Sequence, residues 1–210
     1  MRRPALALVA APLLLAGCIS VFPKTPPAQL YAFGLTPTGG GEGAAAAPPG
    51  SAASQVGVVL QGVSLPRAEA GDGILTFTGN QAAYIGGARW TAPAPSLFQD
   101  ALERAFEARA RRVRLLHRGD IAKAGALLRL DGRSFEARYA SPGAPPTVVI
   151  VMRARLSRPD GSILDERTFA ARQPAAENRA GAVVQAFDAA AGQVIADVAA
   201  WTEAAVPPAR

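Results

Sequence analysis

One cysteine and one histidine in 210 residues leave almost nothing from which to build a metal centre or a disulfide framework. Cys18 has no second thiol to pair with, and His117 alone excludes every multi-histidine site. The chain also lacks a Gly-x4-Gly-Lys-Ser/Thr loop and any Gly-x-Gly-x-x-Gly run opening a helix after a strand, so the nucleotide-binding fingerprints are absent. These absences argue against a standalone ATPase, an oxidoreductase or a metallohydrolase. Aromatic residues make up only 6% of the chain, and much of the 50% apolar content is alanine, so the core should be small and aliphatic. The formal charge is +6; removing Arg2 and Arg3 with the leading segment takes it to +4, too mild a balance to imply nucleic acid.

What the chain does have begins with an address. Met1-Arg2-Arg3 is a short basic region, and Ala5 to Leu15 is an apolar run of signal-peptide length rather than a bilayer span. Leu15-Ala16-Gly17-Cys18 follows and resembles the lipobox of bacterial lipoproteins, with small residues before the thiol that accepts diacylglycerol. On this reading residues 1–17 are cleaved and Cys18 becomes the lipidated N-terminus. It carries covalent diacylglycerol and an N-acyl chain, and there is no other cofactor. One acyl chain anchors marginally and two or more anchor stably. Ile19 stands where the enteric sorting rule places an inner-membrane aspartate, which favours the outer membrane's periplasmic leaflet.

Residues 18–54 are rich in Pro, Gly and Ala and read as a tether, reaching on the order of 100 Å if extended at ~3.3 Å per residue. Tyr31-Ala32-Phe33 interrupts it with alternating aromatics, the pattern of a short edge strand. The folded domain is expected over 55–203, with 204–210 a disordered tail. Gln55 to Leu65 is β-branched, apolar and stopped by Pro66, which predicts a buried strand. Ile74 to Thr78 and Ala82 to Ile85 flank Gly79-Asn80, a hairpin signal with its turn residues in reversed order.

Ser96-Leu97-Phe98-Gln99 has a capping-box pattern and predicts a helix start, with Leu97, Phe98, Ala101, Leu102, Ala105 and Phe106 on one face and an end near Arg109. Val113 to Leu116 is a short strand. Ala126 to Tyr139 is a longer one whose alternation shifts parity near Gly132, as a bulge requires. Thr147 to Leu156 alternates Val148, Ile150, Met152, Ala154 and Leu156 against Val149, Val151, Arg153 and Arg155, Pro159-Asp160-Gly161 turns the chain, and Ile163 to Arg172 returns it. Ala180, Val184, Phe187, Ala191, Val194, Val198 and Trp201 recur at intervals of four and three. Such a stripe suits a partner-binding helix, but one rich in Ala with a single Phe is better suited to lying on the sheet of its own domain. Together these elements describe a single α+β domain, a mainly antiparallel sheet with one central and one long C-terminal helix packed on it.

Candidate chemistry is sparse. His117 can formally join a serine and an aspartate, but no Gly-x-Ser-x-Gly elbow is present, and a surface histidine at a strand end is the more economical reading. Asp72-Gly73 and Asp160-Gly161 read as turns rather than calcium loops. Arg109, Arg111, Arg112, Arg114 and Arg118 form a basic run where helix gives way to strand. It suits either docking to an acidic partner or headgroup, or a solvated edge that discourages aggregation.

The succession Val58-Val59-Leu60-Gln61-Gly62-Val63-Ser64-Leu65-Pro66, Ile74-Leu75-Thr76-Phe77-Thr78, Ala88-Arg89-Trp90 and Ser96-Leu97-Phe98 resembles the ABC-type transport auxiliary lipoprotein family over roughly residues 30–202. The chain departs from that pattern at Arg67 to Gly73, where the family commonly continues with an aromatic or Leu-Asp stretch, and in the long insertion between Phe33 and Gln55. The resemblance implies a non-enzymatic, lipid-anchored envelope subunit facing the periplasm. Its partners would be an MCE-domain substrate-binding protein with its ABC permease and ATPase, acting in lipid transport. Homo-oligomerisation is left open. On this reading Arg89, Trp90, Arg111, Arg112 and Arg114 are candidate partner-binding residues, with Trp90 alternatively a core anchor. An envelope-assembly or peptidoglycan-associated lipoprotein is the competing reading, and a periplasmic hydrolase using His117 a third.

Overall fold

The computed structural model describes residues 27–35, 55–116, 119 and 124–208. In chain order the elements are β1 (Gln29–Tyr31), β2 (Val56–Ser64), β3 (Gly73–Thr78), β4 (Gln81–Trp90), α1 (Ala94–Arg109), β5 (Val113–Leu116), β6 (Ala126–Tyr139), β7 (Thr147–Ser157), β8 (Ile163–Pro174) and α2 (Ala180–Ala205).

All eight strands join one sheet organised about β6. One edge of β6 pairs antiparallel with β7 from Leu127 to Arg138. Its other edge is shared by two strands: β2 runs parallel beside Ala126 to Asp131, and β3 runs parallel beside Ala137 to Tyr139. Beyond these, β5 is parallel to β2, β4 antiparallel to β3, β1 parallel to β4 and β8 antiparallel to β7. The expectation of a mainly antiparallel sheet is therefore corrected to a mixed one, with parallel pairing between β2 and β5, β2 and β6, β3 and β6, and β1 and β4. Alternation along a strand says which side chains share a face, and it is the same whichever way the neighbouring strand runs.

Local signals are realised closely. The β3–β4 turn puts Gly79 at φ 56° while no non-glycine residue among those described has positive φ. Positive φ at the first central position alone is what a type II′ turn requires, and this accounts for Gly preceding Asn. In β6 the register shifts between Gly132 and Ser134, and core-facing residues change parity from Leu128 and Leu130 to Phe135 and Ala137. One prediction fails locally: α1 begins at Ala94 with Pro93 as its cap and no side-chain cap hydrogen bond, so the box at Ser96 and Gln99 does not form. Proline is favoured in the first helical turn, the Ala94 amide donates to the Gly71 carbonyl at 3.1 Å, and the Gln99 Nε2 donates to Glu103 Oε1 at 2.9 Å.

Helix α2 lies on β7, β8 and α1, with Val184, Phe187, Ala191, Val194, Val198 and Trp201 buried. It is long and apolar enough to span a membrane by length and composition, but its apolar residues are spent on the sheet of its own domain. The fold extends past both expected boundaries. At the C-terminal end α2 reaches Ala205 and Val206 is buried. At the N-terminal end β1 pairs with β4 and Phe33 is 1% exposed. The Gly34 amide donates to Asp188 Oδ1 at 2.5 Å, and Arg104 Nη2 donates to the Gly34 carbonyl at 2.9 Å, which ties residues 29–35 to both helices.

Five rings from five places in the chain meet in the core: Phe33, Trp90, Phe98, Phe135 and Phe187. Their centroids lie between 5.0 and 6.5 Å apart in the contacting pairs, mostly edge-to-face.

Candidate functional site

Arg89 and Trp90 are neighbours at the end of β4 but do not act together. Trp90 is 2% exposed, so it is a core anchor and offers no surface to a partner. Arg89 is exposed, and its Nη1 donates to Asp72 Oδ1 at 2.9 Å. A solvent-facing pair of this kind adds at most about 1 kcal/mol. Leu15, Ala16, Gly17 and Cys18 lie outside the described residues, as do His117 and Arg118.

The remaining arginines of the basic run lead into β5, and their backbone is held by a residue that sequence reasoning missed. Glu203, on the last turn of α2, accepts the successive amides of Arg111, Arg112 and Val113 on one oxygen, Oε1, at 2.6, 2.7 and 3.2 Å. The Val56 amide donates to the Arg112 carbonyl at 2.8 Å, which seats β5 against β2. Nothing in the sequence marks Glu203, because the amides it caps are 90 to 92 positions away. Glu203→Ala should lower stability by about 1–2 kcal/mol, since it leaves three amides without their acceptor and water can replace it only in part. A lowered urea midpoint at unchanged slope, with faster amide exchange over 111–116, is expected; exchange unchanged there would remove the clamp from the account.

On the sheet face away from the helices, arginines and carboxylates interleave. Arg153 Nη2 and Arg155 Nε donate to the two oxygens of Glu166 at 2.5 and 2.8 Å, and Arg129 Nε donates to Asp131 Oδ1 at 3.1 Å. Hydrogen bonds from Arg155 and then Arg153 hold the Glu166 carboxyl below the usual range. Burial pushes Asp131 up, but the Ser64 hydroxyl and Arg129 outweigh it and its pKa ends lowered. Glu136 lies on the same face, 2% exposed, with Arg138 donating to its Oε1 through Nε and Nη2 at 2.9 and 2.7 Å.

Glu69, in the β2–β3 loop and 6% exposed, meets Glu136 there. Burial first, then the hydrogen bond and charge of Glu136, push the Glu69 carboxyl up to about 8, so at neutral pH it carries a proton. Its Oε2 has no hydrogen-bond partner among the described residues. Two carboxylates facing one arginine cannot both be charged cheaply, and the proton held on Glu69 removes the excess.

A half-open groove of about 460 Å³ lies between α1 and β5. Leu60, Phe106, Val113 and Leu115 contribute apolar wall, while Gln99, Glu103 and Glu107 run along its helical side at intervals of four. Among the described residues no group of three or more His, Cys, Asp or Glu is placed to hold a metal ion.

Residues 41–199 match the family model described as the ABC-type transport auxiliary lipoprotein component. Among solved structures, a protein from Xanthomonas campestris is 27% identical, covers 75% of this chain and 90% of its own, and superposes with a TM-score of 0.65. An uncharacterised protein at 16% identity and TM-score 0.64 covers 84% of this chain and 99% of its own. A hypothetical protein from Chlamydia trachomatis, 12% identical, covers 73% and 98% with a TM-score of 0.51; these last two share the fold alone. No curated protein matches this sequence. The family match covers the sheet from β2 onward, all of α1 and α2 as far as residue 199, in the order the sequence motifs set out, and the chain therefore belongs to the ABC-type transport auxiliary lipoprotein family.

Proposed function

We infer that this protein is a non-enzymatic docking subunit of an ABC/MCE-type lipid transport system. Anchored through Cys18 in the outer membrane and facing the periplasm, it contacts the transporter's MCE-domain substrate-binding component. The observation that carries this reading is the family match over 41–199, with a lipobox-like Leu15-Ala16-Gly17-Cys18 ahead of it. Residues 36–54 add Gly, Pro, Ala, Ser and Thr with a single Glu, a composition suited to a spacer between anchor and domain.

In-cell cross-linking of the tagged lipoprotein, followed by mass spectrometry, tests the partner. Recovery of an MCE-domain protein with its permease and ATPase is the expected result. Recovery of murein or outer-membrane assembly factors alone would transfer the role to the competing envelope-assembly reading. The anchor is tested separately: Cys18→Ser should leave an unprocessed or soluble protein and abolish transport, and full transport by a soluble periplasmic form would show that tethering is dispensable.

A further inference from the structure

We propose that the groove between α1 and β5 is a strand-addition site, in which an extended segment of the transporter's substrate-binding component pairs with the free edge of β5. The identity of the partner rests on the transport reading above; the site itself rests on the position of the groove.

Side chains alternate between the two faces of a strand, so a cavity lying over one face touches every second residue. This groove touches Val113, Arg114, Leu115 and Leu116 in succession. Yet Val113 and Leu115 pack into the main core under α1, whereas Leu116 joins Val59 and Leu127 in a small cluster on the opposite face. What four consecutive residues have in common is the backbone edge of the strand. Among the described residues β5 pairs only with β2, toward which Arg112 and Arg114 turn their backbone groups; on the outer edge the Val113 amide is held by Glu203, and the Leu115 amide and the Val113 and Leu115 carbonyls have no strand partner. Such an edge is a template for another strand: main-chain hydrogen bonds supply affinity and pockets for alternate side chains supply specificity.

The two walls specify the incoming strand. On the α1 side, Gln99, Glu103 and Glu107 stand above apolar Leu60 and Phe106, which suits apolar side chains and a lysine or arginine. On the other side Arg114 alternates with Val113 and Leu115 and is exposed, which suits an aspartate or glutamate. Glu107 and Arg114 have no hydrogen-bond or ion-pair partner among the described residues, so both charges are available. The matching occupant is an extended partner strand with basic and apolar residues on one side and an acidic residue on the other. A second copy of β5 supplies arginine but no carboxylate, and would set like charges together. Residues 36–54 supply no cation and no large apolar side chain.

The test is amide hydrogen exchange on the detergent-purified, full-length lipoprotein, with and without the purified substrate-binding component, alongside affinity measurements. Protection of the Leu115 amide on complex formation is expected, since it is the outward amide of β5 that Glu203 does not hold. Glu103→Lys with Glu107→Lys, and separately Arg114→Glu, should each weaken the complex at least tenfold at unchanged melting temperature. Protection confined to β8 or to the arginine-bearing sheet face overturns the groove while leaving docking intact. Protection of Leu115 that rises with lipoprotein concentration alone assigns the edge to a second copy and also overturns it. Absence of any complex overturns both this proposal and the transport reading.

Discussion

Trp90→Ala should destabilise the domain by about 3–5 kcal/mol, the range for deleting a large buried aromatic. Trp90 is 2% exposed and sits edge-to-face against Phe33 at 5.2 Å and Phe187 at 5.3 Å, with Phe135 at 6.3 Å. The rings it touches come from the N-terminal segment, β6 and α2, so the cavity left behind cannot be closed by moving one element. Because single domains hold only about 5–15 kcal/mol in total, this loss is a large share of the whole. The effect should also be unevenly distributed. Phe33 is held in place partly by Trp90, and amides of residues 29–34 should exchange faster in the variant than those of β7. A urea midpoint within error of the wild type would contradict the core assignment and return Trp90 to the list of surface candidates.

The second large effect is a dependence on pH. Glu69 is held protonated to about 8 when folded, while in the unfolded chain it ionises near its ordinary value of 4.5. The folded state therefore binds the extra proton between these limits. Stability from this site is fully present below about pH 4.5 and is lost progressively as pH rises to about 8. At 1.36 kcal/mol per pKa unit the loss is about 3–5 kcal/mol across the window. Glu69→Gln keeps a neutral donor beside the Glu136 carboxylate and cannot ionise. Its stability should match the wild type near pH 4.5 and exceed it by several kcal/mol at pH 9. Urea titrations at pH 5, 7 and 9 read this directly, and parallel profiles for the two proteins would exclude a proton retained on Glu69. The lowered carboxyls of Asp131 and Glu166 act in the opposite sense and in a different window, since their contribution is lost only as pH falls below the ordinary carboxylate range.

Trp90 is committed to the core and the backbone of Arg111 and Arg112 to the Glu203 clamp, so those candidates serve the fold first. Clamped at its start and open at its outer edge, β5 is presented as a fixed strand beside α1. Rigid presentation lowers the ordering cost of an added strand.

The sequence by itself determined what depends on neighbours within a few positions. The Gly79-Asn80 turn, the parity change at Gly132, the return of β7 into β8 through Pro159-Asp160-Gly161 and the stripe from Ala180 to Trp201 are local, and each is realised in the structure. The order of short motifs likewise carried the family. Tertiary structure alone decided that β2 and β3 share one edge of β6, that Glu69 meets Glu136, and that Glu203 caps the start of β5. Each of these joins residues far apart in the chain. A period of two assigns a side chain to a face, but the residue that will stand opposite, and the direction in which its strand runs, follow only from how the whole sheet closes over its core.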